Sequence, residues 1–379
     1  MMETPKEQGF RMPAEWEKQS AVWLQWPYDT PTYEATLRSN DKTYQLNLEK
    51  TWLLISWNLH LTQKVAVIAK NQEQNDYLQN LFAYMDYNLD NIETHVLTSV
   101  DVWHRDSGPI FVVDDKGKLA ITEWNFNGWG TYPNHGLHEK HIPKSVSEIV
   151  GVPCFTAPIV TEGGAIEVNG TGSLIATRSS ILNDNRNPGV SQQDAEQAFN
   201  DYLGVSNVIW LSGAPPEVCE KELGDGTDYH VDIAARFVNK NTVVYTWTDD
   251  QSDARYPYLV KHLEELKAAT DEEGHSLNLV PLYAPKNGVY TTGERFDFAV
   301  GAYQDAAASK AQFTDASYTN YLVANDMVLV PVFGSVSDQQ AKDTLQEFFP
   351  DRKIIGIPCV TLTAEGGAVH CVTQQQPFA

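Results

Sequence analysis

An internal repeat constrains this chain more than any other feature. Gly151-Val-Pro-Cys-Phe-Thr156 is followed by Glu162-Gly-Gly-Ala-Ile-Glu-Val168. Far downstream, Gly356-Ile-Pro-Cys-Val-Thr361 is followed by Glu365-Gly-Gly-Ala-Val-His-Cys371. Two blocks with the same two motifs in the same order imply pseudosymmetry, a scaffold made of repeated units. In this register His370 and Cys371 stand where Glu167 and Val168 stand. A thiol occupies only the later copy, and that asymmetry directs attention to Cys371.

What fills the repeat is α/β in character. Short apolar, β-branched runs read as strands at Ala21–Trp26, Lys64–Ala69, Pro109–Val113, Leu174–Thr177, Ala235–Thr246, Tyr321–Val332 and Lys353–Ile357. Amphipathic helices are expected between them at Thr43–Ile55, Asn75–Met85, Gln192–Leu203, Arg255–Ala269 and Ser337–Phe349. Ser337, with Gln340 three residues on, reads as an N-cap, and Pro350 as the stop. The alternation predicts an α/β architecture without a linker between separate all-α and all-β domains.

Charge narrows the partners. Twenty-seven Lys and Arg stand against 50 Asp and Glu, a net charge of −23. Nucleic acid and anionic membranes need a basic face, so neither is expected as a partner, whereas a cationic ligand is favoured. No apolar stretch is long enough to cross a membrane, and Met1–Gln8 has no apolar leader region. The four cysteines, at 154, 219, 359 and 371, form no CxxC pair. Free thiols in a reducing cytoplasm are the expectation.

Four segments concentrate chemistry. Asp101-Val-Trp-His-Arg-Asp-Ser-Gly-Pro109 crowds Trp103, Arg105 and Asp106 before a Gly-Pro turn. Glu162 precedes a Gly-Gly pair that permits close backbone approach. Gly224-Asp-Gly-Thr-Asp-Tyr-His-Val-Asp232 leads into an apolar run; on a strand, His230 and Asp232 would share one face, with Asp225 and Asp228 as flanking loop acids. Cys371 sits after the second Gly-Gly pair and before Thr373 and Gln374. A lone cysteine is usually inert core, but this neighbourhood is too polar for a simple core strand.

The set is one thiol, one imidazole and three carboxylates: Asp106, Glu162 and Asp232. No HExxH or zinc-finger spacing occurs, so no metal is expected. A Cys-His protease would not need three further carboxylates. Acids around a thiol raise its pKa, a cost that makes sense when the substrate is a cation.

These residues, in this order, resemble the agmatine deiminase family of guanidine-modifying enzymes. The likeness runs from Gly9-Phe-Arg-Met-Pro-Ala-Glu-Trp16 and Val22-Trp-Leu-Gln-Trp-Pro27 to His370-Cys-Val-Thr-Gln-Gln-Gln-Pro377. It implies one domain over 1–379: a five-fold pseudosymmetric α/β propeller, or pentein, of ββαβ modules around a polar channel. It implies Cys371 as nucleophile, His230 as general acid and base, and Asp106 and Asp232 as the grip on guanidinium nitrogens. Glu162 would support that constellation, and Trp103 would lie near the substrate's reactive end. Asn125-Phe-Asn-Gly-Trp-Gly130 resembles a segment near the pocket and receives no role. No cofactor is implied, and a homodimer or higher homo-oligomer is expected.

Tyr229 and Glu365 depart from the family pattern, where glycine is common at both positions. Tyr229 would place a ring beside His230 and reshape the channel. Agmatine is the expected substrate, with N-carbamoylputrescine and ammonia as products. The alternatives are deimination of free arginine or peptidyl-arginine, amidino transfer, and a catalytically silent guanidine-binding protein.

Overall fold

The computed structural model describes residues 3–27, 42–286, 288–291, 298–300 and 312–379. Among these residues, five sheets repeat one pattern: a first strand antiparallel to a middle strand, and a third strand parallel to the middle one. The first unit is Ile110–Asp114, Leu119–Glu123 and Cys154–Thr156; the second is Ile166–Val168, Ser173–Thr177 and Asn207–Leu211. The third is Ala235–Phe237, Thr242–Trp247 and Asn278–Tyr283; the fourth is Leu322–Val323, Met327–Val332 and Lys353–Pro358. The fifth joins the chain ends, with Thr373–Pro377 beside Gln19–Gln25 and then Lys64–Ala69.

In each unit a helix links the middle strand to the third, as a parallel crossover requires. Strands covered on both faces read as unbroken apolar runs, which is why Lys64–Ala69 and Met327–Val332 were legible. The fifth unit is also tied by side chains, Trp23 Nε1 donating to Gln376 Oε1 at 2.8 Å. Phe10–Arg11 extends the first sheet, and Ile92–Val96 extends the fifth. A small antiparallel sheet of Val289–Thr291, Phe298–Val300 and Gln312–Thr314 lies between the third and fourth units in sequence.

The helix Gln192–Leu203 forms as expected: Ser191 and Asp194 make a reciprocal capping box, and Gly204 ends it at φ 71°. Other details differ. The run Ala235–Thr246 is two strands, because the Asn239 side chain accepts the amides of Asn241 and Thr242 and turns the chain. Tyr321–Val332 likewise divides into Leu322–Val323 and Met327–Val332. Ser337 is the first helical residue, not the N-cap. The neighbouring Asp338 ties that helix start instead, accepting from Phe333 N at 3.1 Å, Gly334 N at 2.8 Å and the Tyr318 hydroxyl at 2.6 Å.

One further feature recurs. A short turn precedes the first strand of every unit, in order: His104–Ser107, Gly163–Ala165, Val231–Ile233, residues 318–319 and residues 369–372. These five turns bring the candidate residues together.

Candidate active site

The first turn carries Trp103 and Asp106, both buried. Asp106 Oδ2 accepts from Trp129 Nε1 at 3.0 Å, and Oδ1 accepts from Gly164 N at 3.1 Å. Burial, opposed by His230 and reinforced by Asp232 and Glu162, raises the Asp106 carboxyl to about 6. Arg105 turns away from Asp106. It reaches Gln375 Oε1 at 2.7 Å and the His370 carbonyl at 3.2 Å, and lies 3.6 Å from Glu15.

The second turn follows Glu162, which is fully buried. Its Oε1 accepts from Arg186 Nε at 2.9 Å, and its Oε2 is 3.3 Å from His230 Nε2. Burial opposes ionisation, but Arg186 and His230 outweigh it and hold the carboxyl below its ordinary value.

His230 and Asp232 belong to the third turn, not to a strand. They border one cavity because the chain turns there, not because a pleat alternates. Burial alone would lower the His230 pKa; Asp106 and Glu162 carry it up instead, to about 9. Its Nδ1 lies 3.7 Å from Asp106 Oδ1.

The fourth turn supplies Asn320, which the sequence did not single out. Its Nδ2 donates to Cys371 Sγ at 3.1 Å, while its Oδ1 accepts the His370 amide at 3.1 Å. The fifth turn holds Cys371, just ahead of the strand rather than within it. Its Sγ is 3.7 Å from Asp232 Oδ2. Burial, with Asp232 and Asp106, pushes the thiol well above its ordinary value. Beside it, His370 bridges Asp232 Oδ2 at 2.8 Å and Glu15 Oε2 at 2.9 Å, fixing the Asp232 carboxylate.

Glycines make the crowding possible. A Cβ on Gly164 would lie 2.7 Å from His230 Nδ1 and 2.8 Å from Asp106 Oδ1. One on Gly367 would lie 2.6 Å from the Trp103 ring and 3.0 Å from Cys371 Sγ. Cys371, His230 and Asp232 line a common cavity, and two buried polar atoms there, His230 Nδ1 and Asp232 Oδ1, have no hydrogen-bond partner. Such groups cost about 1–3 kcal/mol each when left unpaired, so the cavity favours a ligand that pairs with them.

All six residues expected from the sequence (Trp103, Asp106, Glu162, His230, Asp232 and Cys371) therefore lie in or directly before four of the five turns, at one site. Sequence reasoning missed Asn320, Trp129, Arg186 and Glu15. Trp129 lay in the Asn125–Gly130 segment, whose Gly128, Trp129 and Gly130 all have positive φ; that glycine density was the available signal. Asp228 is more than a loop acid: it is buried and ion-paired with Arg186. Tyr229 does not narrow the cavity. Its φ of 68° explains the usual glycine, and its ring packs in the core against Tyr258 and His262. Cys154, Cys219, Cys359 and Cys371 are all free thiols. Among the described residues, no cluster of three His, Cys, Asp or Glu is arranged to hold a metal, and no helix is long and apolar enough to cross a membrane.

A buried thiol, an imidazole of raised pKa and three buried carboxylates thus share one site on the repeated ββαβ units. The family model of Porphyromonas-type peptidyl-arginine deiminases matches residues 11–377. A Yersinia pestis protein named as a candidate agmatine deiminase is 34% identical, over 99% of this chain and 98% of its own. The agmatine deiminase of Enterococcus faecalis superposes with a TM-score of 0.82 at 29% identity, covering 100% of this chain and 98% of its own. A Porphyromonas gingivalis structure named as a candidate arginine deiminase gives 0.78 at 31% identity, covering 97% and 98%. The chain belongs to the Porphyromonas-type peptidyl-arginine deiminase family.

Proposed function

We propose that this enzyme hydrolyses agmatine to N-carbamoylputrescine and ammonia, with Cys371 as nucleophile, on five units closed as a propeller around the site. One observation carries the reading. Asp232 Oδ1, an unpaired buried carboxylate oxygen, lines the same cavity as the Cys371 thiol and the unpaired His230 Nδ1. A guanidinium is planar, cationic and rich in N–H donors, and carboxylates bind it by charge-assisted hydrogen bonds. Asp106 and Asp232 grip it, and Glu162, anchored by Arg186, keeps His230 charged.

The electrostatics suit a substrate that activates its own nucleophile. The thiol is pushed up in the free enzyme. A cation about 4 Å from sulfur would favour the thiolate by about 4 kcal/mol at an effective dielectric near 20. The thiol proton passes to solvent as the cation binds, and the thiolate attacks the guanidinium carbon, forming a C–S bond and a tetrahedral adduct. His230 Nδ1, which faces Gly164 and the cavity, gives its proton to the departing nitrogen, and ammonia leaves. Neutral His230 next takes a proton from water as the oxygen attacks the amidino-thioether carbon. The C–S bond then breaks as the adduct hydroxyl gives up its proton to sulfur, releasing the ureido product and the thiol.

Free arginine and peptidyl-arginine are the competing substrates. Among the described residues, the cavity is lined by Asp225, Asp232 and Asp315; this acidic lining favours the dication agmatine over free arginine. The test is ammonia release from agmatine, arginine and a blocked arginine peptide in parallel, with Cys371→Ala as control. Cys371-dependent turnover of agmatine is expected; turnover of arginine alone, or of agmatine by Cys371→Ala, would overturn the reading.

A further inference from the structure

The cavity lined by Cys371, His230 and Asp232 is lined as well by Gly224, Asp225, Thr227 and Asp315. Two further carboxyl groups, those of Asp225 and Asp315, therefore border it. Asp225 is satisfied locally: it accepts from the Thr227 and Tyr229 amides at 2.9 and 2.6 Å and from the Thr227 hydroxyl at 2.5 Å. Asp315 is not. Its side chain is 8% exposed, and its Oδ2 is buried with no hydrogen-bond partner. Its contact with Arg255 is long, at 3.6 Å, and that guanidinium is already engaged by Asp253 and by the Ala316 carbonyl. One cation thus faces both Asp253 and Asp315; burial, opposed by Arg255 and reinforced by Asp225 and Asp253, raises the Asp315 carboxyl to about 7, so this side chain is poised to take a proton or to pair with a second cation.

We infer that Asp315 is the receptor for a second positive charge, the terminal ammonium of the substrate, and so selects ω-amino guanidines over guanidines with an uncharged or anionic tail. The inference rests on the deiminase reading above and deepens it. An ammonium is a compact three-fold donor, and the free Oδ2 of Asp315 gives it an acceptor in a water-poor setting. A carboxylate tail would meet Asp315 and Asp225 as like charges. A plain alkyl tail would leave Oδ2 unpaired.

The experiment compares agmatine with butylguanidine, which keeps the guanidinium and four-carbon chain but lacks the amine. Ammonia release is measured for wild type, Asp315→Asn and Asp315→Glu, with melting curves as a folding check. Wild type should prefer agmatine. Asp315→Asn should raise the agmatine KM roughly tenfold or more, as removal of one partner of a buried charge pair does, with kcat nearly unchanged. Butylguanidine kinetics should not move. Asp315→Glu reaches one methylene further and should shift preference toward 3-aminopropylguanidine, a change that a merely structural role would not produce. Equal losses on agmatine and butylguanidine, or an unaltered chain-length preference in Asp315→Glu, would overturn the assignment of Asp315. Wild type that releases no ammonia from either compound would overturn the deiminase reading itself, and the inference with it.

Discussion

The two Glu-Gly-Gly-Ala copies look interchangeable in sequence and are not interchangeable in space. In the first copy every residue from Glu162 to Val168 is buried, and the strand begins at Ile166, directly after the Gly163–Ala165 turn. In the second, Glu365 is half-buried, Gly366 is exposed, and another turn intervenes before the strand begins at Thr373. Counting back from each strand, Gly164 and Cys371 both stand two positions ahead. The structural counterpart of the thiol is thus the glycine against which His230 and Asp106 pack, and not Val168 as the sequence register suggested. The scaffold repeats by its turns and strands; the sequence similarity is offset from it. One copy gives the site an open wall, and the other gives it a sulfur.

The sharpest break of this comparison is at the cysteines. Cys154 and Cys359 are true sequence counterparts, both free, with Cys359 in the apolar core. Cys371→Ala should lower kcat by roughly 10⁴-fold or more, the scale of removing a covalent nucleophile. Cys359→Ala should leave kcat within roughly threefold and cost stability alone, as small core truncations do. Ammonia release and urea unfolding on both proteins make the check; comparable activity losses would end the assignment of Cys371.

Glycine against glycine comes next. Gly164 has no positive φ, so alanine is tolerated by its backbone, but the new Cβ would press on His230 and Asp106. Displacing the acid–base group by even part of an ångström misaligns it, and Gly164→Ala should lower kcat/KM about 10²-fold. The same substitution with near-normal kcat/KM would show that Gly164 does not border the reacting atoms.

The copies also divide the titration. Asp106 and His230, tied to the first copy through Gly164 N and Glu162, titrate at about 6 and about 9. Below about 6 Asp106 takes up a proton and loses its grip on a cation; above about 9 His230 loses the proton it must donate. A bell-shaped kcat/KM profile with limbs near those values is expected. Glu162→Gln removes a group that raises His230, so the alkaline limb should move down. An alkaline limb that stays put would assign it to another group. The thiol of the later copy should stay protonated in the free enzyme at neutral pH, so iodoacetamide should trap it slowly.

Much of this was legible in the sequence, for identifiable reasons. Lys64–Ala69 and Gln192–Leu203 announced themselves by apolar runs and by the Ser191–Asp194 cap, signals that are local. Cys371, His230 and the three acids stood out because their neighbourhoods were too polar for core. Asn320 escaped because its role is to meet Cys371, a contact across 51 residues that no spacing rule encodes. Arg186 and Glu15 escaped likewise, since buried ion pairs are set by how turns from different units converge. His230 and Asp232 were paired for the wrong reason: alternation on a strand was invoked where a 3-10 turn acts.

The smallest expected effect separates space from conformation. Gly366 is the mirror case of Gly164: a Cβ there meets nothing within 4 Å, yet its φ is 114°. An L side chain in that region strains the backbone, so Gly366→Ala should cost about 1–2 kcal/mol of stability. Catalysis at saturating substrate should stay within roughly twofold, because the strain is local and the reacting groups keep their places. The two variants then form a cross: Gly164→Ala loses far more activity than stability, and Gly366→Ala the reverse. If Gly366→Ala lost activity as deeply as Gly164→Ala, the exposed half of the second copy would have to move with the thiol during turnover. The repeat would then contribute to the reaction from both sides rather than from one.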